Sequence, residues 1–281
     1  MLKIGFHISI YGNIALAAKR AADIGCNTFQ IFTRNPRSWR AKKLTDEEVR
    51  SFIDQVQTYG LNPIFSHMPY LSNLASPRND VHSKSIKTLK DELERCRRLE
   101  IPYLVTHLGS HLGFGSKIGF DRIVRGINEA FEHGECGVTL LLENTAGTRN
   151  SIGSRFEEIN RIIDNLNHPE YVGVCFDTSH GFAAGYDLRS KDAVAKTISE
   201  ISHTLGFEKI KLVHLNDSAG GLGSKIDRHE HIGLGMIGEE GFRSIILSEF
   251  SRLPIIMETP KDYRRSDEEN LMVVLKLAGL T

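Results

Sequence analysis

Short runs of aliphatic and β-branched residues alternate along the whole chain with longer segments in which apolar residues recur at the helical period. Runs of the first kind predict strands, and segments of the second kind predict amphipathic helices. The predicted strands are 3–7, 28–32, 63–66, 103–106, 138–142, 172–176, 211–214 and 254–257. The predicted helices are 14–24, 46–59, 83–99, 120–133, 155–165, 192–205, 241–249 and 267–277. This repeat of strand and helix predicts an α/β fold, a (β/α)₈ TIM barrel.

Local signals and chain length agree with one barrel. Thr45 precedes an acidic run and resembles a helix N-cap, and Gly60 stands where the second helix should stop;. A length of 281 residues fits two ordinary domains or one barrel;. Because no linker rich in Pro, Ser or Gly divides the chain, we expect a single domain spanning 1–281.

Potential metal ligands stand at, or directly after, the ends of six predicted strands. They are His67, His107, Glu143, Asp177, His214 and Glu258. Successive members are 34 to 44 residues apart, from the gap between 143 and 177 to that between 214 and 258. One barrel unit takes about 35 residues in a chain of this length. Since the C-terminal strand ends of a barrel meet at one mouth, we expect these side chains to share a single polar pocket.

Two local clusters extend this set. One joins Asp177 to His180, and the other contains Asp227, His229 and His231. Imidazole and carboxylate ligands without thiolates suit Zn²⁺, Mn²⁺ or Fe²⁺, and the large share of histidines favours Zn²⁺ over Mg²⁺. Nine such ligands exceed the needs of one tetrahedral ion and would hold two or three ions around shared carboxylates. We expect His229 to be the ligand of the second cluster, and its position alone leaves His231 open.

Each strand-end residue also has an ordinary structural explanation. An isolated His there is more often a packed or solvent-facing residue, and a lone Asp or Glu can cap the next helix. Only the repetition at barrel spacing favours ligands. The histidines assigned to packing or to the surface are His82, His133, His168 and His203. His7 and His111 lie near strand ends, where they could support ligands;.

Composition narrows the class of protein. With 40% hydrophobic and 25% charged residues the chain is typical of a globular protein;. Lys plus Arg and Asp plus Glu both number 35, so any nucleic-acid binding must come from a local surface;. Cys26, Cys96, Cys136 and Cys175 form no C-x-x-C pair and are expected to be reduced, buried thiols;. No leader and no run near the roughly 18 apolar residues of a membrane helix are visible, so we expect a cytoplasmic protein without membrane contact.

Eight sequence segments, in order, carry a resemblance that covers essentially the whole chain. They are FTRNPRSW at 32–39, HMPYLSNL at 67–74, HLGSH at 107–111, LENTAG at 142–147, DTSHGFAAGYD at 177–187, HLNDS at 214–218, DRHEHIG at 227–233 and MET at 257–259. With them the chain resembles the endonuclease IV family of zinc-dependent abasic-site endonucleases.

The resemblance implies a barrel that holds three zinc ions. Its ligand positions match His67, His107 and Glu143 for the first ion, Glu143, Asp177, His214 and Glu258 for the second, and His180, Asp227 and His229 for the third. It also implies base excision repair, in which a metal-activated water cleaves double-stranded DNA on the 5′ side of abasic sites. The products would be a 3′-OH and a 5′-deoxyribose phosphate. Glu143 and Glu258 are the expected catalytic residues, which would orient that water.

The resemblance further implies that loop residues enter the DNA, and the matching positions are Arg37, Tyr70 and Leu71. Apart from the resemblance, several cations surround Trp39 in the loop after the second strand. They are Arg34, Arg37, Arg40, Lys42 and Lys43. Such a group indicates either a basic patch for DNA or an ordinary solvated loop.

Other interpretations remain at this stage. Xylose isomerase-like barrels that isomerise or epimerise sugars also use strand-end carboxylates and histidines, although they need no third-ion cluster. A catalytically inactive, metal-stabilised DNA-binding protein is a second alternative. Ser38 and the pair Met68-Pro69 depart from the bacterial pattern of the family, which has Gln and Asp-Ser at these places. We expect a monomer.

Overall fold

The computed structural model describes residues 2–132, 134 and 137–280. Its strands are β1 (Ile4–Ile8), β2 (Phe29–Ile31), β3 (Ile64–His67), β4 (Tyr103–His107), β5 (Thr139–Glu143), β6 (Val172–Asp177), β7 (Ile210–His214), β8 (Asp217–Ser218), β9 (His229–Glu230) and β10 (Ile255–Met257). The main sheet is a closed barrel in the order β1-β10-β7-β6-β5-β4-β3-β2, with every neighbouring pair parallel. The predicted (β/α)₈ barrel is confirmed, and β8 and β9 add a separate antiparallel ribbon.

Helices connect the strands around the outside of the barrel. In the described part of the chain they are α1 (Leu16–Ile24), α2 (Asp46–Thr58), α3 (Asn79–Arg98), α4 (Ser116–Ala130), α5 (Phe156–Asp164), α6 (Thr178–Ala184), α7 (Lys191–Thr204), α8 (Gly238–Ile246) and α9 (Asp267–Leu277). The predicted cap of α2 is present, because Thr45 Oγ1 accepts from the Glu48 amide at 3.1 Å and Glu48 Oε2 accepts from the Thr45 amide at 2.9 Å;. No helix of these ranges has the length and apolar character that a bilayer crossing requires.

Alternate residues of each barrel strand point inward, and the others point toward the helices. The interior is filled by six buried side chains, which are Phe65, Val105, Leu141, Cys175, Leu212 and Ile256. Residues between them belong to the larger core under the helices. Two positions further along each strand, the alternation returns to the inward side at residues 67, 107, 143, 177, 214 and 258. The pattern that fills the barrel therefore also directs the strand-end ligands into its mouth.

The structure differs from the sequence prediction where an element lacks a clear apolar pattern. Helix α3 begins at Asn79 and not at 83, because its first two residues, Asn79 and Asp80, are polar and exposed and add nothing to the apolar period. The first turn of α4 is also exposed, and that helix begins at Ser116 and not at 120, while its predicted end at 133 lies outside the described residues. Helix α6 and the ribbon were not predicted, because elements of seven and two residues show no period.

Candidate metal centre

Glu143, at the end of β5, lies in the middle of the predicted pocket and is 1% exposed. Its Oε2 atom lies 3.0 Å from His67 Nε2 and 3.3 Å from His107 Nε2. Its Oε1 atom lies 3.2 Å from His214 Nδ1 and 3.3 Å from His180 Nδ1. The two oxygens of one carboxylate thus face different imidazoles, which is the geometry of a bridging ligand.

A first group of possible ligand atoms comes from His67, His107 and Glu143, and these atoms lie within 4.8 Å of one another. His67 Nδ1 lies 2.8 Å from the carbonyl oxygen of Met68, which can only accept a hydrogen bond;. The ring proton therefore belongs on Nδ1, and Nε2 presents its lone pair to the pocket. The backbone directly after β3 thus orients this imidazole for a cation.

A second group comprises Glu143, Asp177, His214 and Glu258, again within 4.8 Å. His214 Nδ1 lies 3.6 Å from Glu258 Oε2 and 3.9 Å from Asp177 Oδ2. Asn216 donates to Asp177 Oδ2 at 2.7 Å and accepts from the Glu258 amide at 2.8 Å. The Asn216 side chain therefore fixes the positions of Asp177 and Glu258 relative to each other.

The third group is formed by Asp177, His180 and His229. Asp177 caps α6 by accepting from the His180 amide at 2.7 Å, which turns the short helix so that His180 faces the pocket;. The ribbon pairs Ser218 with His229 and brings His229 Nε2 to 3.6 Å from Asp177 Oδ2. Asp227 lies on the open side, with Oδ1 3.1 Å from His180 Nε2.

The atoms of the third group fit a cation. His229 Nδ1 lies 3.1 Å from the Glu258 carbonyl oxygen, so the proton belongs on Nδ1 and the Nε2 lone pair is directed toward Asp177;. His229 Nε2 is buried and has no hydrogen-bond partner among the described residues. A buried, unsatisfied nitrogen costs about 1–3 kcal/mol, and a lone pair facing a carboxylate is repelled unless a positive charge lies between them. Imidazole and carboxylate donors of this kind suit zinc.

The pKa shifts of the residues in the pocket also favour bound cations. Burial alone would raise the pKa of Glu143, but His107 and His214 hold it well below its usual range. Burial lowers the pKa of His180, yet Asp177 and the other carboxylates beside the ring raise it well above 6.5. The clustered carboxylates therefore stabilise positive charge, either protons or metal cations.

Histidines outside these groups have other partners. His231 is fully buried, with Nε2 3.0 Å from Asp262 Oδ1 and Nδ1 3.0 Å from Asn270 Nδ2. Both of its ring nitrogens therefore have partners outside the three ligand groups. His82 packs in the core and contacts the Arg122 carbonyl at 3.0 Å. His111, His168 and His203 bond to Gly115, Glu170 and Ser199, and His7 contacts Glu258 and Gln30. His133 and Cys136 lie outside the described residues.

The residues predicted to contact DNA surround the pocket. Tyr70 and Leu71 are 64% and 37% exposed in the loop directly after His67. The Tyr70 ring packs edge-on against Phe32, with 5.0 Å between ring centroids, and Phe32 lies 5.7 Å from the His67 ring. Partial burial raises the pKa of Tyr70, and the nearby charge of Arg37 opposes that shift.

One member of the predicted basic patch does not belong to the surface. Arg34 is 4% exposed, and its guanidinium pairs with the fully buried carboxylate of Glu92 on α3. The other cations of the loop remain exposed and are Arg37, Arg40, Lys42 and Lys43. The patch is thus smaller than the sequence indicates, because a partner far away in sequence removes Arg34 from solvent.

Sequence reasoning missed Gln30 and Asn216. Gln30 is fully buried on β2 and contacts His7, His214 and Glu258. A polar residue inside the apolar run 28–32 was the available signal, but it does not reveal which residues it meets. Asn216 follows His214 by two positions, which places it on the same side of the chain as that ligand.

The closed barrel with ligand groups at its C-terminal mouth is the architecture of the xylose isomerase-like TIM barrels, and the sequence pattern of that family matches residues 18–275. Within this class, the chain is 51% identical over 281 residues to "Probable endonuclease 4" of Methanoculleus marisnigri, covering 99% of this chain and 100% of that one. The crystal structure of endonuclease IV from Thermus thermophilus is similar with a TM-score of 0.87 and 34% identity, covering 99% of this chain and 100% of that one. The chain belongs to the endonuclease IV family.

The fold itself is shared more widely. A D-tagatose 3-epimerase-like protein is similar with a TM-score of 0.74 at 20% identity, covering 99% of this chain and 98% of that one. At that level of identity only the architecture is common, so the side chains at the mouth have to distinguish the activities.

Proposed function

We propose that this chain cleaves double-stranded DNA on the 5′ side of abasic sites with three zinc ions, leaving a 3′-OH and a 5′-deoxyribose phosphate. As a member of the endonuclease IV family it is a DNA-repair hydrolase of phosphodiester bonds. The observation that carries the finer proposal is the meeting of three ligand groups, two of which share Glu143 and two of which share Asp177. Such shared carboxylates would hold neighbouring ions close together, an arrangement that suits in-line displacement at phosphorus.

Nine residues would hold the ions, and they are His67, His107, Glu143, Asp177, His180, His214, Asp227, His229 and Glu258. When bound, zinc ions would lower the pKa of water and stabilise the charge that develops on the phosphate and its leaving oxygen.

The polypeptide fixes the geometry around that chemistry. Glu143 presents one carboxylate oxygen to each of two groups, and Glu258 directs Oε2 toward the pocket, where it can orient a water molecule. The buried apolar residues inside the barrel, such as Phe65 and Leu141, close the pocket from below. A phosphate can therefore approach only from the mouth, where Tyr70 stands.

Lesion recognition is assigned to the exposed residues beside this opening. Tyr70 and Leu71 offer apolar surface next to the metal groups, and they can fill the space left by a missing base;. Separating stacked bases costs a few kcal/mol per step, and that cost is lowest where a base is already absent. Arg37, an exposed cation of the loop after β2, adds a positive charge for the DNA backbone;.

Sugar isomerisation or epimerisation is the rival function, since that fold is shared. One four-residue group, Glu143, Asp177, His214 and Glu258, would be enough for a single catalytic ion. The additional groups built on His67, His107, His180 and His229 favour the nuclease.

Incubation of purified protein with a duplex that contains one abasic site, with and without a chelator, tests the proposal. We expect incision 5′ to the lesion, loss of incision with chelator, recovery with zinc, and about three zinc ions per chain by elemental analysis. Active, unstripped protein with one ion or none would refute the trinuclear site. Absent incision together with epimerisation of a ketose would favour the rival.

A further inference from the structure

Gln30 is a buried amide that lies between two candidate ligands far from it in sequence. Its Oε1 atom lies 2.9 Å from His214 Nε2, and its Nε2 atom lies 2.7 Å from Glu258 Oε1. The His7 ring closes the remaining side, with Nδ1 2.9 Å from Gln30 Nε2 and 3.1 Å from Glu258 Oε1. Gln30 therefore contacts His214 at Nε2 and Glu258 at Oε1. The other two atoms, His214 Nδ1 and Glu258 Oε2, are the ones that face the second group.

The hydrogen-bonding capacity of Glu258 and His214 fixes the orientation of the Gln30 amide. An ionised carboxylate can only accept hydrogen bonds, so Glu258 requires the Gln30 nitrogen on its side. The Gln30 oxygen must then face His214, and because that oxygen can only accept, His214 Nε2 has to carry the ring proton. Reversal of the amide would place its oxygen against the carboxylate and its N–H groups against His214 Nε2, which would move the ring proton to Nδ1.

The resulting tautomer is the one that a metal ion needs. With the proton on Nε2, His214 Nδ1 keeps its lone pair, and Nδ1 is the atom that lies 3.2 Å from Glu143 Oε1. The same amide occupies Glu258 Oε1 and leaves Oε2, 3.6 Å from His214 Nδ1, for the pocket. One side chain thus selects the free donor atom on both ligands.

We propose that Gln30 is a positioning residue of the metal centre, which sets the tautomer of His214 and the orientation of Glu258. The inference rests on the proposed function only in that zinc would use these two donor atoms. The tautomer itself is a property of the polypeptide. Groups that orient ligands in this way typically change metal affinity about 10–100-fold when they are removed.

Zinc release gives the first test. The Gln30→Met variant keeps the length of the side chain but has neither the amide donor nor the amide acceptor, and Gln57→Met alters an exposed glutamine of α2 as a matched control. We expect transfer of zinc from loaded protein to a chromogenic chelator to be about 10–100-fold faster for Gln30→Met. Release within about twofold of the wild type, with the control unchanged, would overturn the proposal.

The ring nitrogens of His214 give a second readout, which needs neither bound zinc nor a folded variant. Two-bond ¹H–¹⁵N spectra of metal-stripped wild-type protein, at a pH at which the ring is neutral, distinguish the two tautomers. We expect a proton on Nε2 close to the Gln30 side chain, and a proton on Nδ1 would overturn the assignment. Failure of the wild type to bind zinc would refute the proposed function and leave this spectrum as the test of Gln30.

Discussion

At the scale of single residues, the candidate centre depends on which atom each side chain leaves free. His67 and His229 bond through Nδ1 to backbone carbonyl oxygens, whereas His214 is held at Nε2. In its neutral form, each imidazole is thereby left with one lone pair directed at a carboxylate. Glu143 and Asp177 are each shared by two of the three groups, and Glu143 also lies within 3.3 Å of four imidazoles, so its charge is the first to test.

Replacement of Glu143 by glutamine should abolish incision while the fold is kept. A neutral amide has one oxygen and cannot bridge two cations, so we expect single-turnover incision to fall by at least ~100-fold, as when charge-stabilising groups are removed from active sites. Zinc content and circular dichroism accompany the assay. Glu157→Gln, on the exposed face of α5, is the control. A loss of less than tenfold with full metal content would show that Glu143 is not the bridge.

Zinc binding should release protons. In the metal-free protein the pKa values of His180 and His214 lie well above 6.5, because acidic neighbours outweigh burial. These neighbours are Asp177 beside His180, and Cys175 and then Glu258 beside His214. Both rings therefore hold protons at pH 7 that must leave before they bind a cation, so zinc affinity should rise with pH and fall as the pH is lowered. Calorimetric titration in two buffers with different ionisation enthalpies measures the protons released. An affinity independent of pH between 6 and 8 would contradict the expectation.

At the scale of elements, α3 holds the β2–α2 loop that carries Arg37. Glu92 on α3 pairs with Arg34 and accepts from Thr33 Oγ1 at 2.7 Å. Arg95, one turn further along α3, donates from NH1 to the Lys42 carbonyl oxygen at 3.0 Å. The buried ion pair and these hydrogen bonds therefore hold the base of the loop on α3. The exposed cations of the loop project from this base.

Loss of the Glu92 charge should weaken this base without affecting the metal groups. Breaking a buried ion pair leaves an unpaired charge, so Glu92→Gln is expected to lower the free energy of unfolding by about 3–5 kcal/mol in urea titrations. Glu94→Gln removes an exposed pair with Arg97 and should change it by about 1 kcal/mol or less;. Equal effects of the two variants would show that the buried pair does not anchor the loop. Affinity for abasic duplex should fall with Glu92→Gln, whereas zinc content should not.

Much of the barrel and of the set of strand-end ligands could be predicted, because the alternation along each strand and the repeat of strand and helix are both visible in the sequence. Because side chains alternate with a period of two along a strand, the positions two residues after Phe65 and Leu141 again face the inside of the barrel. The repeat of strand and helix then brings these positions to one mouth. Contacts that arise only when the barrel closes could not be predicted. Gln30 meets His214 across 184 residues of sequence, and Arg34 meets Glu92 across 58.

At the scale of the whole molecule, formal net charge of +0 means that no overall field draws the protein to DNA;. Attraction must come from a local surface next to the centre. The exposed cations of the β2–α2 loop supply it in part, although Lys42 is also paired with Glu48 at 3.0 Å. Tyr70, which is exposed and packs against Phe32, contributes contact area without charge.

Salt dependence should therefore separate the roles of Arg37 and Tyr70. A residue that neutralises one phosphate contributes about one unit to the slope of log K against log salt, whereas stacking contributes about 1–3 kcal/mol with no change in slope. Arg37→Ala should weaken abasic-duplex binding and flatten the slope by about one unit. Tyr70→Ala should weaken binding equally at all salt concentrations. Arg50→Ala, an exposed cation on α2, is the control for net charge.

The double variant of Arg37 and Tyr70 gives the decisive comparison. Both side chains are exposed and lie outside the ligand groups, so zinc content and circular dichroism should match the wild type. Single-turnover incision should fall by more than tenfold at physiological salt, because each lost contact is worth about 1–3 kcal/mol. Incision within about twofold of the wild type would remove both residues from lesion recognition, since a lost stacking contact alone exceeds that change. The exposed cations from Arg40 to Lys43 would then be the next to test for the DNA contact.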